Sequence, residues 1–110
     1  MEDDNVKLSA YILNWMKEKE MSQAEKVSRL FKALSVETRV RMLELLKERS
    51  LCVNALARSL AITPPAVSQH LRILREADIL IAERKGYFVH YRVNPDKLAE
   101  LSGIVKRLFE

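Results

Sequence analysis

The stretch Thr63–Arg92, TPPAVSQHLRILREADILIAERKGYFVHYR, decides how this chain folds. Thr63 offers a side-chain oxygen in an N-cap position. Pro64 follows at the first helical position, where a missing N–H removes no hydrogen bond. Val67, Leu71 and Leu74 then fall on one face of the helix. Two short β-rich segments come next, Ile79–Glu83 and Tyr87–Val93, joined through Arg84-Lys85-Gly86. A helix running straight into a hairpin with a basic tip predicts the recognition helix and wing of a winged helix-turn-helix. Such a unit holds a helix in a DNA groove while a loop grips the backbone.

Outward from that stretch, short connections link further helices, with no internal repeat or low-complexity segment. The spacing predicts a first helix over Val6–Glu20, with Leu8, Tyr11, Ile12, Trp15 and Met16 on one stripe. Ser22 opens a second helix and Glu25, three residues on, completes a capping box; its stripe is Ala24, Val27, Phe31 and Leu34. Ser35 is the expected cap of a third helix carrying Val40, Leu43 and Leu46. After a break at Arg49-Ser50, a fourth helix runs over Val53–Leu60 with Cys52 in its N-cap position. Ala61-Ile62 makes the tight turn into the recognition helix. Asn94-Pro95 starts the last helix, in which Leu98, Leu101, Val105 and Leu108 follow a heptad-like spacing.

The expected fold class is therefore mainly α with a small β-hairpin wing, a single winged helix-turn-helix domain over residues 1–110. Residues 22–94 form the DNA-binding core in this reading. Residues 1–21 and 95–110 are terminal helices whose apolar stripes exceed what a small three-helix core needs. They either fold back over that core or pack against a second copy, as a reader of palindromic DNA requires. Gly103 in the last helix costs about 1 kcal/mol relative to alanine, which fits a close helix crossing, or simply marks fraying.

Charge placement narrows the partner. From Arg58 to Arg92 the chain carries six Lys or Arg against three acids, so three of its four net positive charges sit in the helix and wing. That favours a polyanion. No apolar run is long enough to span a membrane. The start, MEDDNVK, is acidic and lacks an apolar signal region, and one cysteine suits a reducing compartment. A cytoplasmic location is expected.

Placing the residues on a helical wheel separates readers from packers. Pro65, Ser68, Gln69 and Arg72 lie opposite Val67, Leu71 and Leu74. Ser68 and Gln69 can bond base edges, Gln most naturally with adenine, while Arg72 and Arg75 suit phosphates or guanine. His70 flanks the packed face, so both a structural role and a DNA contact stay open, and the same holds for His90. In the wing Arg84, Lys85 and Arg92 are electrostatic grips, Gly86 supplies the turn, and Tyr87 reaches sugar or groove wall; Phe88 is assigned to the core. With Thr63, these make the DNA-binding candidates Thr63, Pro65, Ser68, Gln69, His70, Arg72, Arg84, Lys85, Tyr87 and Arg92. Glycine-rich phosphate loops are absent, since Gly86 and Gly103 are the only glycines, and neither histidine neighbours the cysteine in sequence. No enzyme activity and no cofactor are expected.

The residues FKALSVETRVRMLELLKERSLCVNALARSLAITPPAVSQHLRILREADILIAERKGYFVHYRV resemble the arsenic-repressor (ArsR/SmtB) family of winged-helix transcription factors. The likeness runs from roughly Leu30 to Val93 and is carried by KALSVETRVRML, VSQHLRILREA and GYFVHYRV together. It implies a homodimer built by the first and last helices that binds operator DNA and represses transcription until an effector releases it. The family's base-reading positions fall here on Pro65, Ser68 and Gln69.

Two departures concern control. Where metal-sensing members carry Cys-Val-Cys, this chain has Cys52-Val53-Asn54, and one thiolate makes a poor soft-metal site. The family's second site uses Asp and His on the last helix; DKLAELSGIVKRLFE offers Asp96 and Glu110 without histidine. No metal site is expected. A smaller departure is Asp78, where glycine usually ends the recognition helix; aspartate tolerates the left-handed conformation better than most residues. Cys52 is either a small half-buried thiol or a redox handle, since a helix N-terminus favours the thiolate. The rival function from another class is a winged-helix module for protein–protein contact, which would need neither Arg84-Lys85 nor a polar Ser68-Gln69 face.

Overall fold

The computed structural model describes residues 12, 13, 15–17 and 19–110. Positions 12, 13, 15–17, 19 and 20 are helical, inside the helix expected over Val6–Glu20; the remainder of that helix, Leu8 and Tyr11 included, lies outside the described residues. The elements that follow are α1 (Gln23–Ala33), α2 (Glu37–Glu48), β1 (Leu51–Cys52), α3 (Val53–Leu60), α4 (Pro64–Glu76), β2 (Leu80–Lys85), β3 (Phe88–Val93) and α5 (Pro95–Leu108).

Helix starts follow local chemistry. Ser22 Oγ accepts from the Glu25 backbone N–H and donates to Glu25 Oε1, so Glu25 meets the cap through its hydroxyl rather than its backbone amide. Thr63 Oγ1 accepts from Ala66 N–H at 3.3 Å, with Pro64 in the first turn. Asn94 Oδ1 likewise accepts from Lys97 N–H. The expected cap at Ser35 is not formed. Its hydroxyl donates to the Lys32 carbonyl at 2.8 Å and closes α1, while Val36 occupies the N-cap of α2 with no side-chain bond. A cap would need the Ser35 oxygen to accept from an N–H of α2, but the hydroxyl is turned back towards the end of α1, where carbonyls lack intrahelical partners.

The core is one cluster. Met42 and Leu46 from α2, Leu56 from α3, Val67, Leu71 and Leu74 from α4, and Ile79 and Leu80 beyond it are all buried, with Leu101 of α5. Each such aliphatic contributes roughly 1.5–3 kcal/mol when fully buried, so α4 is fixed by three of them. Two stripes differ from expectation. On α1 the buried face is Val27, Leu30 and Ala33, with Ala24 and Phe31 in solvent. On α2 it is Arg39, Met42 and Leu46, with Val40 and Leu43 half-buried. The aliphatic stem of an arginine covers apolar surface as leucine does, so a period counted on Val and Leu alone is rotated.

The sheet is antiparallel in the order β1-β3-β2. The two-residue strand β1 is an addition to the expected hairpin, pairing Leu51 with Tyr91 and Cys52 with His90. Both wing strands start one residue later than expected, β2 at Leu80 and β3 at Phe88, and β2 ends two residues further: Arg84 and Lys85 join it, and the turn is Gly86-Tyr87. Gly86 has φ +65, the positive φ that a tight two-residue hairpin turn demands.

Candidate DNA-binding surface

α4 and the wing are held in a fixed relation by bonds at the helix's C-terminal end. Asp78 takes φ 62, turning the chain out of α4. The side chain of Asn94 donates to the Asp78 carbonyl at 3.2 Å, and its backbone N–H donates to Ile79 O at 2.8 Å. Arg29 of α1 donates through Nη2 to the Glu76 carbonyl at 2.8 Å, placing a cation where the helix dipole is negative. The turn before α4 is fixed in the same manner: Ala61 sits at φ 55, ψ 43, and its N–H bonds Ala57 O.

With Val67, Leu71 and Leu74 buried, the opposite face of α4 is committed to solvent. Pro65, Ser68, Gln69, Arg72 and Arg75 are all exposed, as is Thr63 at the cap. Arg72 Nε lies 3.9 Å from Glu76 Oε1 with both side chains largely in water, a pair too weak to withhold Arg72 from another anion. Arg84, Lys85, Gly86 and Tyr87 form the exposed wing tip, and Lys85 Nζ rests on Ser50 Oγ at 3.3 Å. Arg92 is different. Its Nε donates to Glu83 Oε1 at 2.7 Å across the hairpin, and that hydrogen bond and charge hold the Glu83 carboxyl below its usual range. Arg92 braces the wing, its charge matched by a carboxylate.

His70 sits between the two faces, half-buried. Its Nδ1 is sealed from solvent without a hydrogen-bond partner, as is Nε of the buried Arg39. Burial lowers the imidazole pKa from 6.5, and the neighbouring Arg39 charge lowers it further. A neutral imidazole carries an acceptor and guanidinium Nε a donor, so the two atoms are complementary. Arg39 escapes a count of apolar residues, and its one clue is the three-residue offset from Met42. Arg29 and Ser50 went equally unmarked, because bonds to a distant carbonyl or to a wing lysine leave no local pattern.

Cys52 is a half-buried free thiol at the N-cap of α3 that makes no capping bond; its cross-strand neighbour is His90. Among the described residues no three His, Cys, Asp or Glu converge as metal ligands, and no helix is long and apolar enough to cross a membrane. Apolar side chains remain uncovered on the terminal segments: Ile12, Leu13, Trp15 and Met16 near one end, Leu108 and Phe109 at the other.

Residues 37–82 match the family model for bacterial regulatory proteins of the arsR family. Over 68 residues, 61% of this chain, the sequence is 46% identical to the arsenic resistance transcriptional regulator ArsR1 of Pseudomonas putida, of which the match spans only 53%. It is 35% identical over 74 residues to the transcriptional repressor SdpR of Bacillus subtilis, covering 67% of this chain and 82% of that one. In structure it resembles the homodimeric winged helix-turn-helix DNA-binding domain of a possible ArsR-family regulator from Mycobacterium bovis, with TM-score 0.65, 27% identity, and coverage of 77% and 79%.

Proposed function

The chain belongs to the arsR family of bacterial regulatory proteins, and from that premise we propose that it binds operator DNA as a homodimer and represses transcription. The observation that carries the reading is the two-faced α4, with Val67, Leu71 and Leu74 buried and Pro65, Ser68, Gln69 and Arg72 presented together to solvent. Ser68 and Gln69 address base edges and Arg72 and Arg75 a phosphate or guanine. Arg84 and Lys85 hold the backbone, and Thr63 fixes the angle at which α4 starts. His70 contributes through the position it gives the helix, since its Nδ1 faces inward. Arg92 acts by stiffening the wing.

The dimer follows from the terminal segments. Trp15 at 59% and Phe109 at 78% exposure belong to stripes that a second copy would cover. Two relatives named as repressors support the direction of regulation, and the homodimeric Mycobacterium domain supports the assembly. A thiol response through Cys52 has only its position at the start of α3 in its favour and is not needed for DNA binding.

Selection from a random-sequence duplex library with the purified full chain tests this. An inverted repeat with half-sites about one helical turn apart is expected. Recovery of no preferred sequence would refute the DNA-reading function and favour a protein-contact role for the same fold. Sedimentation at micromolar concentration should show a dimer; a monomer would overturn the assembly.

A further inference from the structure

Two sealed polar atoms without a partner come from the two helices that share the core. Arg39 is 8% exposed, yet its Nε makes no hydrogen bond, and among the described residues no carboxylate pairs with its guanidinium. His70 Nδ1 is sealed in the same way. Arg39 lies on the buried face of α2 with Met42 and Leu46, which pack with Val67, Leu71 and Leu74 of α4. His70 stands on α4 one position past Gln69 and two past Ser68. α2, α3 and β2 pack on α4, and of the charged groups they carry Arg39 alone acts on the imidazole. Arg72, Arg75 and Glu76 of α4 itself lie out in water.

An arginine in that place needs a reason. Its stem covers apolar surface, but methionine would do so without burying a donor, and a sealed donor left unmade carries its full desolvation cost. The same cost attaches to the imidazole nitrogen. A neutral ring offers one acceptor and guanidinium Nε can only donate, so a bond between them removes both penalties at once. Such a bond also supplies what aliphatic packing lacks, a preferred direction. Rolling α4 by about 10° carries a side-chain tip roughly 6 Å from the axis through about 1 Å. That exceeds the span of good hydrogen-bond distances to a base edge.

We propose that Arg39 is a specificity-determining positioning residue: when α4 seats on its operator, Arg39 Nε–H joins His70 Nδ1, which fixes the roll of α4 and so the aim of Ser68 and Gln69. This rests on the DNA-binding reading above and adds to it a means of discrimination that touches no base. Non-operator duplex, held by phosphate contacts alone, does not turn the helix and leaves the two atoms apart. Only operator binding gains from the bond, so the pair raises the ratio of operator to non-operator affinity. Protonating His70 removes the acceptor and sets a second cation beside Arg39, so acid lowers that ratio. A histidine facing phosphate would do the opposite and gain affinity as it charges.

The test compares the full chain on the selected duplex and on a scrambled duplex of equal length, at fixed salt, from neutral pH down through the titration of His70. In wild-type protein the ratio of the two affinities should fall about tenfold as His70 protonates. Arg39→Met keeps an unbranched stem and removes the donor. Its thermal midpoint should hold or rise, while its ratio at neutral pH should already be about five- to tenfold lower and flat with pH. Nitrogen NMR of the imidazole supplies a readout that packing alone does not move. On adding the selected duplex, His70 Nδ1 should take the shift of a hydrogen-bonded acceptor in wild-type protein and stay in place in Arg39→Met. A wild-type ratio in Arg39→Met overturns the proposal, and so does a ratio that rises with acid. A wild-type Nδ1 signal unmoved by the duplex overturns it too, and decides the matter even if Arg39→Met fails to fold. In each case the DNA-binding reading stands; a selection that recovers no preferred duplex overturns both.

Discussion

Gln69 and Leu71 stand two positions apart on α4, and replacing each by alanine should fail in an unrelated way. Leu71 is 1% exposed and sits among Val67, Leu74, Met42 and Leu56. Truncating a leucine in such a site typically costs about 2–5 kcal/mol, the lost transfer energy plus the cavity left behind. Against a total stability of roughly 5–15 kcal/mol, Leu71→Ala remains folded but marginal. With a urea slope of about 1.5 kcal/mol/M for a chain of this size, a loss near 3 kcal/mol moves the midpoint down by about 2 M. Gln69 is exposed, and alanine is the better helix former, so Gln69→Ala should alter stability by less than about 0.5 kcal/mol. Its cost appears on DNA: about 1–3 kcal/mol on the selected duplex, with relaxed preference at one base pair per half-site. Urea unfolding by circular dichroism, at fixed protomer concentration because a dimer's stability depends on it, measures the first effect. Fluorescence anisotropy on labelled duplex measures the second. If Gln69→Ala lowers the midpoint by more than about 1 M and leaves affinity and preference intact, the two faces of α4 are assigned the wrong way round.

Three further outcomes follow from particular residues. Ala61 holds a left-handed conformation at φ 55, which costs a non-glycine residue about 1–2 kcal/mol, while glycine loses roughly 0.5–1 kcal/mol of backbone freedom elsewhere. Ala61→Gly should therefore raise the urea midpoint, and a lower one refutes the strain. The imidazole of His70 is held below 6.5 first by burial and then by Arg39, so the unfolded chain binds its proton more readily than the folded one. The stability this neutral ring contributes is complete above pH 6.5, declines as pH falls through the folded value, and is constant below it. His70→Gln should flatten that slope in pH-dependent unfolding, and an NMR titration of His70 above 6.5 would contradict it. Stoichiometric Zn(II) should leave DNA affinity unchanged, since a structural zinc takes four protein donors and Cys52 has no convergent partners among the described residues. Tight binding abolished by Cys52→Ser is the refuting result.

The recognition helix was legible because its signals are local and agree: a capping threonine, a proline at the first position, and three aliphatics at helical spacing. Strand β1 was not, because two residues carry no period and their pairing with Tyr91 and His90 is decided by where β3 arrives. Ser35 failed as a cap because its hydroxyl turns back to donate to Lys32 O and the chain enters α2 one residue later, with Val36 at the N-cap. On α2 the buried face includes Arg39, which no count of apolar residues registers. The candidate site divides in the same manner. The polar face of α4 could be read from the wheel, whereas the engagement of Arg92 by Glu83 needed the register of the hairpin.

The assignment of Phe31 and Phe88 to the interior failed for a reason that bears on function. Burial of apolar residues is a one-way rule: an interior position calls for an apolar residue, but an apolar residue does not establish an interior position. Sequence period detects the demand for cover without saying which molecule supplies it. Among the described residues, the structure sets a single core around α4 against large apolar side chains left in water. Many of these lie in two places, the terminal segments at Ile12, Leu13, Trp15, Met16, Leu108 and Phe109 and the wing tip at Tyr87 and Phe88. One group lies on the terminal helical segments, as contact with a second copy requires. The other is small, rigid and ringed by Arg84 and Lys85, as a charged groove requires. The two uncovered surfaces therefore call for different partners: truncating the terminal apolar side chains should weaken the dimer, whereas truncating Tyr87 and Phe88 should leave both the fold and the dimer intact.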